Sequence, residues 1–274
     1  MMLMTRGHRW MSIRSTLTFA ILLAMPPCYP AAKANSEPTV SLASGIERYR
    51  SQLIADIDRS VASTQKLRDS MARGDLASAK QAWIEARVGW ERSEVFTSGF
   101  APDLDREIDA WPDGATGFHA IEAKLFGAGR TDFAGEVDAL QHGLSDMATT
   151  ARSTTLTSQG LLDGLARLAY EVGESKVDGG ESRISGTSID DMRNNVDGIE
   201  LAYGTIFAPA VEDRDRNLNA TIQHLIDGLK TMLAQRDLRQ LEQERLRVLS
   251  EELVVALQTA APVLALARPA LELQ

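Results

Sequence analysis

The sequence predicts an all-α fold. Apolar residues recur at helical spacing over long stretches, strand signals are weak throughout, and only 5% of the residues are aromatic. Alternating apolar and polar residues are rare, and the dipeptides that close hairpins are missing between apolar runs. About eight helices account for the pattern, over residues 42–73, 75–97, 115–127, 131–152, 157–176, 187–208, 213–235 and 239–266.

The first helix carries apolar positions from Ile46 to Met71 and stops at Gly74, a residue suited to the left-handed turn beyond a helix end. Asp75 is placed to cap the second, whose ridge runs through Ala79, Trp83, Ala86 and Trp90. Residues 98–116 read as irregular, with prolines, glycines and acids. A short helix then carries Gly117 to Glu122 and is bounded by Gly127 and Gly129. The polar stretch 150–158 marks a seam between two halves of four helices, 35–153 and 154–274, and residues 176–187 form a second irregular segment, polar and rich in glycine. In the second half the clearest stripe is Ile222, Leu225, Ile226, Leu229, Met232 and Leu233. Leu241, Leu246, Leu249, Leu253, Val254 and Leu257 continue it after a polar joint at Gln235–Asp237.

The N-terminus reads as an export signal. Arg6, Arg9 and Arg14 precede the apolar run Leu17–Met25, and Ala32-Lys33-Ala34 offers a small-x-small cleavage site, so residues 1–34 are expected to be removed. The run is far shorter than the ~20 residues of a membrane span, which argues against an uncleaved anchor. The one cysteine, Cys28, lies inside this leader behind Met25-Pro26-Pro27, a context unlike that of a lipoprotein. The expected mature chain thus has no thiolate, and any metal chemistry must use His, Asp and Glu. It also has 25 basic residues against 38 acidic ones, a net charge of −13 once the four basic residues of the leader are gone. Such a charge excludes non-specific attraction to a nucleic-acid backbone; it suits a protein that meets cations, and equally one whose excess charge only keeps it soluble.

His119 and Glu122 are three apart and share one helix face. Imidazole and carboxylate from adjacent turns can reach one ion, as in di-iron bundle proteins. By itself the pair is common, and it is an incomplete site. Glu91 and Glu94 repeat the spacing with two carboxylates, and Asp103, Asp105 and Asp109 follow. The bland reading of Glu91 and Glu94 is a solvated face beside Arg87 and Arg92. His142 and His224 lack suitably spaced acids in a Gly-rich context and read as ordinary helix residues. There is no His-Glu-x-x-His helix, Gly-x-Ser-x-Gly elbow, phosphate loop or dinucleotide fingerprint. A nitrogen- and oxygen-rich donor set favours iron, manganese or zinc over Cu(I).

Three ordered blocks carry a resemblance to the imelysin-like family, in particular to the EfeO/EfeM-type envelope proteins of iron uptake. They are Trp90–Glu94 with Asp103–Asp109, Gly117–Glu122 with Leu125-Phe126-Gly127, and the run from Glu171 through Ser175-Lys176-Val177, Gly180-Glu181 and Arg183-Ile184-Ser185 to Asn195–Gly198. The resemblance implies two tandem antiparallel four-helix bundles and a metal site formed by His119, Glu122, Glu91, Glu94, Asp109 and Glu171. Glu174 and Glu181 follow Glu171 in sequence as further acids of that segment. It also implies a periplasmic iron-binding component, loaded with Fe2+ or Fe3+ (zinc or manganese being alternatives), that serves an inner-membrane iron permease beside a periplasmic haem peroxidase. Val95 stands where the family's paired acids are often followed by proline. The cupredoxin domain of longer members has no counterpart, so copper-assisted oxidation is not expected. Two alternatives go with the family: an imelysin-type metallopeptidase, in which an acid activates metal-bound water, and a module binding an acidic polysaccharide such as alginate.

Overall fold

Helix α1 spans Pro38–Ala72 and ends as the glycine signal requires. Gly74 has a φ of +67°, and the Asp75 amide donates back to the Ser70 carbonyl at 2.9 Å. Asp75 then turns the chain into α2, Leu76–Phe100, by accepting the Ser78 N–H at 3.0 Å. This computed structural model describes residues 38–109, 116–235 and 237–271, with side chains from Leu42 onward. The expected leader and its cleavage site lie outside the described residues.

The chain continues through α3 (Pro102–Ile108), α4 (Gly117–Glu122), α5 (Ala134–Ser153), α6 (Ser158–Glu174), α7 (Ser188–Ala202), α8 (Ala208–Arg214), α9 (Arg216–Leu233) and α10 (Gln243–Val263). The described residues contain no strand. The all-α expectation therefore holds, and two details differ from it. The acidic segment after α2 is partly ordered, because Pro102 sits in the first turn of α3, where its missing N–H costs nothing. The helix that starts at Ser188 also does not stop near 208. It passes through a wider π-turn at Tyr203–Phe207 and continues as α8 to Arg214, before Asp215 caps α9. A second π-turn, Ala123–Gly127, extends α4 directly behind Glu122. Such turns insert one residue into a helix and cluster at functional positions.

The packing centres on α2. It lies against α1 on one side and against α6 and α7 on the other, while α1 also packs on α5. Beyond it, α6, α7, α9 and α10 form a ring in which each helix touches the next. A helix with neighbours all round buries most of its surface. In α2, Trp83, Arg87, Trp90, Glu91, Phe96 and Glu94 are all buried. Close approach of α7 to α2 depends on Gly198, where a methyl group would stand 2.5 Å from the Arg92 carbonyl oxygen. That contact sets α7 at the depth from which Asp191 and Asn195 reach α2.

Candidate metal centre

The α4 helix is fixed from below by aromatic packing. Phe118 is fully buried, with its ring centroid 6.1 Å from those of both Trp83 and Trp90, and Trp83 Nε1 donates to the Phe118 carbonyl at 3.2 Å. Gly117 supplies the turn into the helix, with a φ of +73°. With Phe118, Ile121 and Leu125 held in the core, His119 and Glu122 are left on the flank that faces α2 and the 176–187 segment. Both are themselves buried.

His119 lies between two carboxylates. Its Nδ1 is 3.0 Å from Glu122 Oε2, and its Nε2 is 3.4 Å from Asp109 Oδ2. Burial alone would lower the ring's pKa, but these two hydrogen-bonding partners outweigh it and raise the pKa to about 9. The two carboxylates thus favour the protonated ring in the metal-free protein. Glu122 is held from behind by Ser185, whose N–H and O–H each donate to Oε1 at 2.7 Å. Burial would raise Glu122, but the bonds from His119 and Ser185 keep it below its ordinary value.

Asp109, His119 and Glu181 each present a ligand atom within 4.8 Å of the other two, and all three residues are buried. Three ligands around one ion at roughly 2.1 Å stand about 3.0–3.6 Å from one another. The three side chains therefore have to close inward by about 1–2 Å at most to hold one cation together. Two carboxylates and an imidazole suit a hard or borderline ion. Burial would raise Asp109, yet the Arg87 guanidinium and the His119 ring hold it well below the usual carboxylate range. Glu181 goes the other way, pushed up to about 8 by burial despite the nearby Lys176 ammonium.

Glu91 and Glu94 sit deeper and are not solvated. Arg87, one turn before Glu91 on α2, contacts Glu91 and Asp109 and lies 3.2 Å from Asp191 of α7. Its guanidinium also covers the faces of Trp83 and Phe118, at 5.7 and 5.2 Å from the ring centroids. Lys176 Nζ lies 3.1 Å from Glu91, 2.8 Å from Glu94 and 3.3 Å from Glu181. The Asn195 amide donates to Glu91 Oε2 at 2.7 Å and to Glu94 Oε2 at 2.6 Å. Burial and the neighbouring Glu91 charge push Glu94 well up. Burial would also raise Glu91, but Arg87 and Lys176 bring it below its ordinary value.

Glu171 is only partly buried. It lines a cavity of about 220 Å3 that also borders Glu94, Asp105, Asp109, Lys176 and Glu181. Burial raises Glu171 to about 7 and Asp105 to about 6. A larger cleft of about 590 Å3 opens on the other side of Glu181, bordered by His119, Glu122, Arg183 and Ile184. His142 and His224 are exposed, away from all of this.

All six residues expected to form the site thus fall in or beside one buried cluster. Sequence reasoning did not assign Glu181, which was visible only as a rival to Glu171. It also missed the counter-charges Arg87 and Lys176 and the α7 residues Asp191 and Asn195. Lys176, Glu181 and Asn195 stood in the blocks that carried the resemblance, whereas Arg87 and Asp191 were not among the residues quoted there, and a buried lysine or arginine leaves no periodic trace.

Fold and site together define an all-helical bundle protein with a buried carboxylate–imidazole cluster at the junction of its central helix. The family model for imelysin, which is also a peptidase M75 family, matches residues 45–115 and 113–264. The chain belongs to the imelysin family. It is 28% identical over 231 residues to the iron uptake system component EfeM of Pseudomonas syringae, covering 81% of this chain and 80% of that protein. An Efem/EfeO family lipoprotein of Staphylococcus haemolyticus is 28% identical, with 73% of each chain covered. The iron uptake system component EfeO of Escherichia coli is also 28% identical, over 74% of this chain but 56% of its own length. A crystal structure described as an iron-regulated protein A precursor of Parabacteroides distasonis shares the fold. Its TM-score is 0.62 at 18% identity, over 85% of this chain and 96% of that one.

Proposed function

We propose that the protein is the periplasmic cation-binding component of an iron-uptake system and captures iron at Asp109, His119 and Glu181. The observation that carries this reading is the convergence of those three buried side chains to within 4.8 Å. The names of its relatives in iron uptake supply the choice of metal.

Each neighbour then has a task. Glu122, bonded to Nδ1 and braced by Ser185, orients the ring so that Nε2 faces Asp109, as a carboxylate behind a ligating histidine does. Glu91 adds negative potential around the ion, and Glu94 and Glu171 are reserve oxygen donors. Binding must expel the His119 proton, so affinity rises with pH. Iron held this way would be handed to an inner-membrane permease, with a haem peroxidase as the expected companion. The leader residues 1–34 support export, and no described helix is long and apolar enough to cross a membrane.

The test is an anaerobic calorimetric titration with Fe2+, repeated with Zn2+ and Mn2+. The wild-type chain should bind tightly, and the double variant His119→Ala, Glu122→Ala should lose at least 100-fold in affinity, in keeping with the loss of a ligand together with its orienting partner. Unchanged affinity in a folded double variant removes the site assignment.

A further inference from the structure

Lys176 is an unusual resident for a cation site. It follows the C-terminus of α6, is 5% exposed, and points its ammonium at three carboxylates. Two of these come from α2, Glu91 and Glu94, and the third is Glu181, which also belongs to the Asp109–His119–Glu181 group. The oxygens it meets on α2 are the same Oε2 atoms that Asn195 holds in place. A rigid, three-carboxylate socket around one positive charge is what a metal ion would use. The N–O distances of 2.8–3.3 Å are those of an ammonium rather than of an ion at roughly 2.1 Å.

We propose that the Lys176 ammonium is a displaceable internal counter-ion, occupying a carboxylate socket that an incoming cation takes over as the lysine swings aside. The inference rests on cation capture at the same site. In the empty protein, Lys176 ties Glu91, Glu94 and Glu181 together, and Asn195 holds the two α2 carboxyls beside it. A cation arriving at Asp109 and His119 draws on Glu181 and repels the ammonium. The vacated side chain has a place to go, because it borders the 220 Å3 cavity, whose wall carries the carboxyls of Asp105 and Glu171. As the divalent cation enters, the His119 proton leaves to solvent and the ammonium moves into the cavity. The competition makes the ion easier to release to a partner than an open carboxylate socket would.

The experiment uses the full mature chain and Zn2+ as the probe, with two readouts. The first is acetylation of Lys176 by an N-hydroxysuccinimide ester, followed by peptide mass spectrometry, with and without saturating Zn2+. Displacement predicts that Zn2+ raises Lys176 labelling at least fivefold in the wild type but not in His119→Ala. The second is Zn2+ titration of Lys176→Met, which should bind at least tenfold tighter than wild type or take up a second ion, while Lys176→Arg does neither. A Lys176 that stays unreactive in the loaded wild type overturns the displacement, whatever the variants do, and this readout does not depend on Lys176→Met folding. If the wild type takes up neither Zn2+ nor Fe2+, the capture reading fails and the lysine's role with it; if it takes up Fe2+ alone, both readouts are run with Fe2+ under the same criteria. Zn2+ uptake that is lost in His119→Ala, with Lys176 silent, removes the lysine's role alone.

Discussion

Without metal, the protein should become less stable as pH rises from 5 to 8, and Glu181 should account for much of that slope. The sign follows from which state holds more protons. Burial raises Glu181 to about 8 and Asp191 to about 6 in the folded chain, whereas an unfolded carboxyl titrates near its ordinary value of 4.5 or 3.8. Between pH 5 and 8 the native state therefore binds more protons than the unfolded one, so unfolding becomes easier as protons are withdrawn. His119, raised to about 9, acts in the same direction. Its contribution is complete below about pH 6.5 and is lost as pH climbs through 9. Asp109, Glu91 and Glu122 are held low and act oppositely, but only below about pH 4.5. Glu181 is 7% exposed, so solvent screening takes little away. Each pH unit of displacement is worth about 1.4 kcal/mol. With part of that relieved by structural relaxation, Glu181 should contribute roughly 2–4 kcal/mol of the loss between pH 5 and 8. The assay is urea unfolding in the presence of a chelator at pH 5, 6, 7 and 8, for wild type and for Glu181→Gln. The variant should flatten the profile by that amount. Saturating Zn2+ should also flatten it in the wild type, since the cation takes over the protons' role. A wild-type profile that is level or rises with pH, or a variant with the same slope as wild type, refutes the reasoning.

Other expectations are simpler. Arg87→Met should destabilise the chain by about 3–5 kcal/mol at pH 8, because it leaves Glu91, Asp109 and Asp191 buried without their shared guanidinium. The loss, read from urea midpoints, should shrink at pH 5, where protonation of the acids relieves it. Gly198→Ala should cost about 1–3 kcal/mol, seen as a lower Tm, since its methyl group would press on the Arg92 backbone rather than on a side chain able to rotate away. Phe118→Ala should cost about 3–5 kcal/mol, through loss of a fully buried ring between Trp83 and Trp90. It should also weaken Zn2+ binding without touching a ligand, because the ring sets the pose of α4.

The all-α class, the order of the helices and the Gly74–Asp75 joint were legible in the sequence because each rests on local chemistry. Apolar spacing, a left-handed glycine and a capping carboxylate act within a few residues of where they stand. For the same reason His119 and Glu122 could be placed on one face from their spacing alone. The π-turn at Tyr203–Phe207 escaped that reading, because a single inserted residue barely alters an apolar stripe.

What the tertiary structure decided is the company these residues keep. Glu122 is bonded by Ser185, 63 residues further on; Arg87 reaches Asp191 and Asn195 reaches Glu91, each across 104 residues; and Lys176 crosses 85 residues to Glu91. Glu91 and Glu94 could have been a solvated face beside Arg87 by sequence alone. They are an interior cluster because α6 and α7 close over that side of α2. Helix periodicity carries information about one face of one helix. Which charges meet in the interior depends on how several such faces are pressed together, and a charge's own neighbourhood in the chain does not encode that.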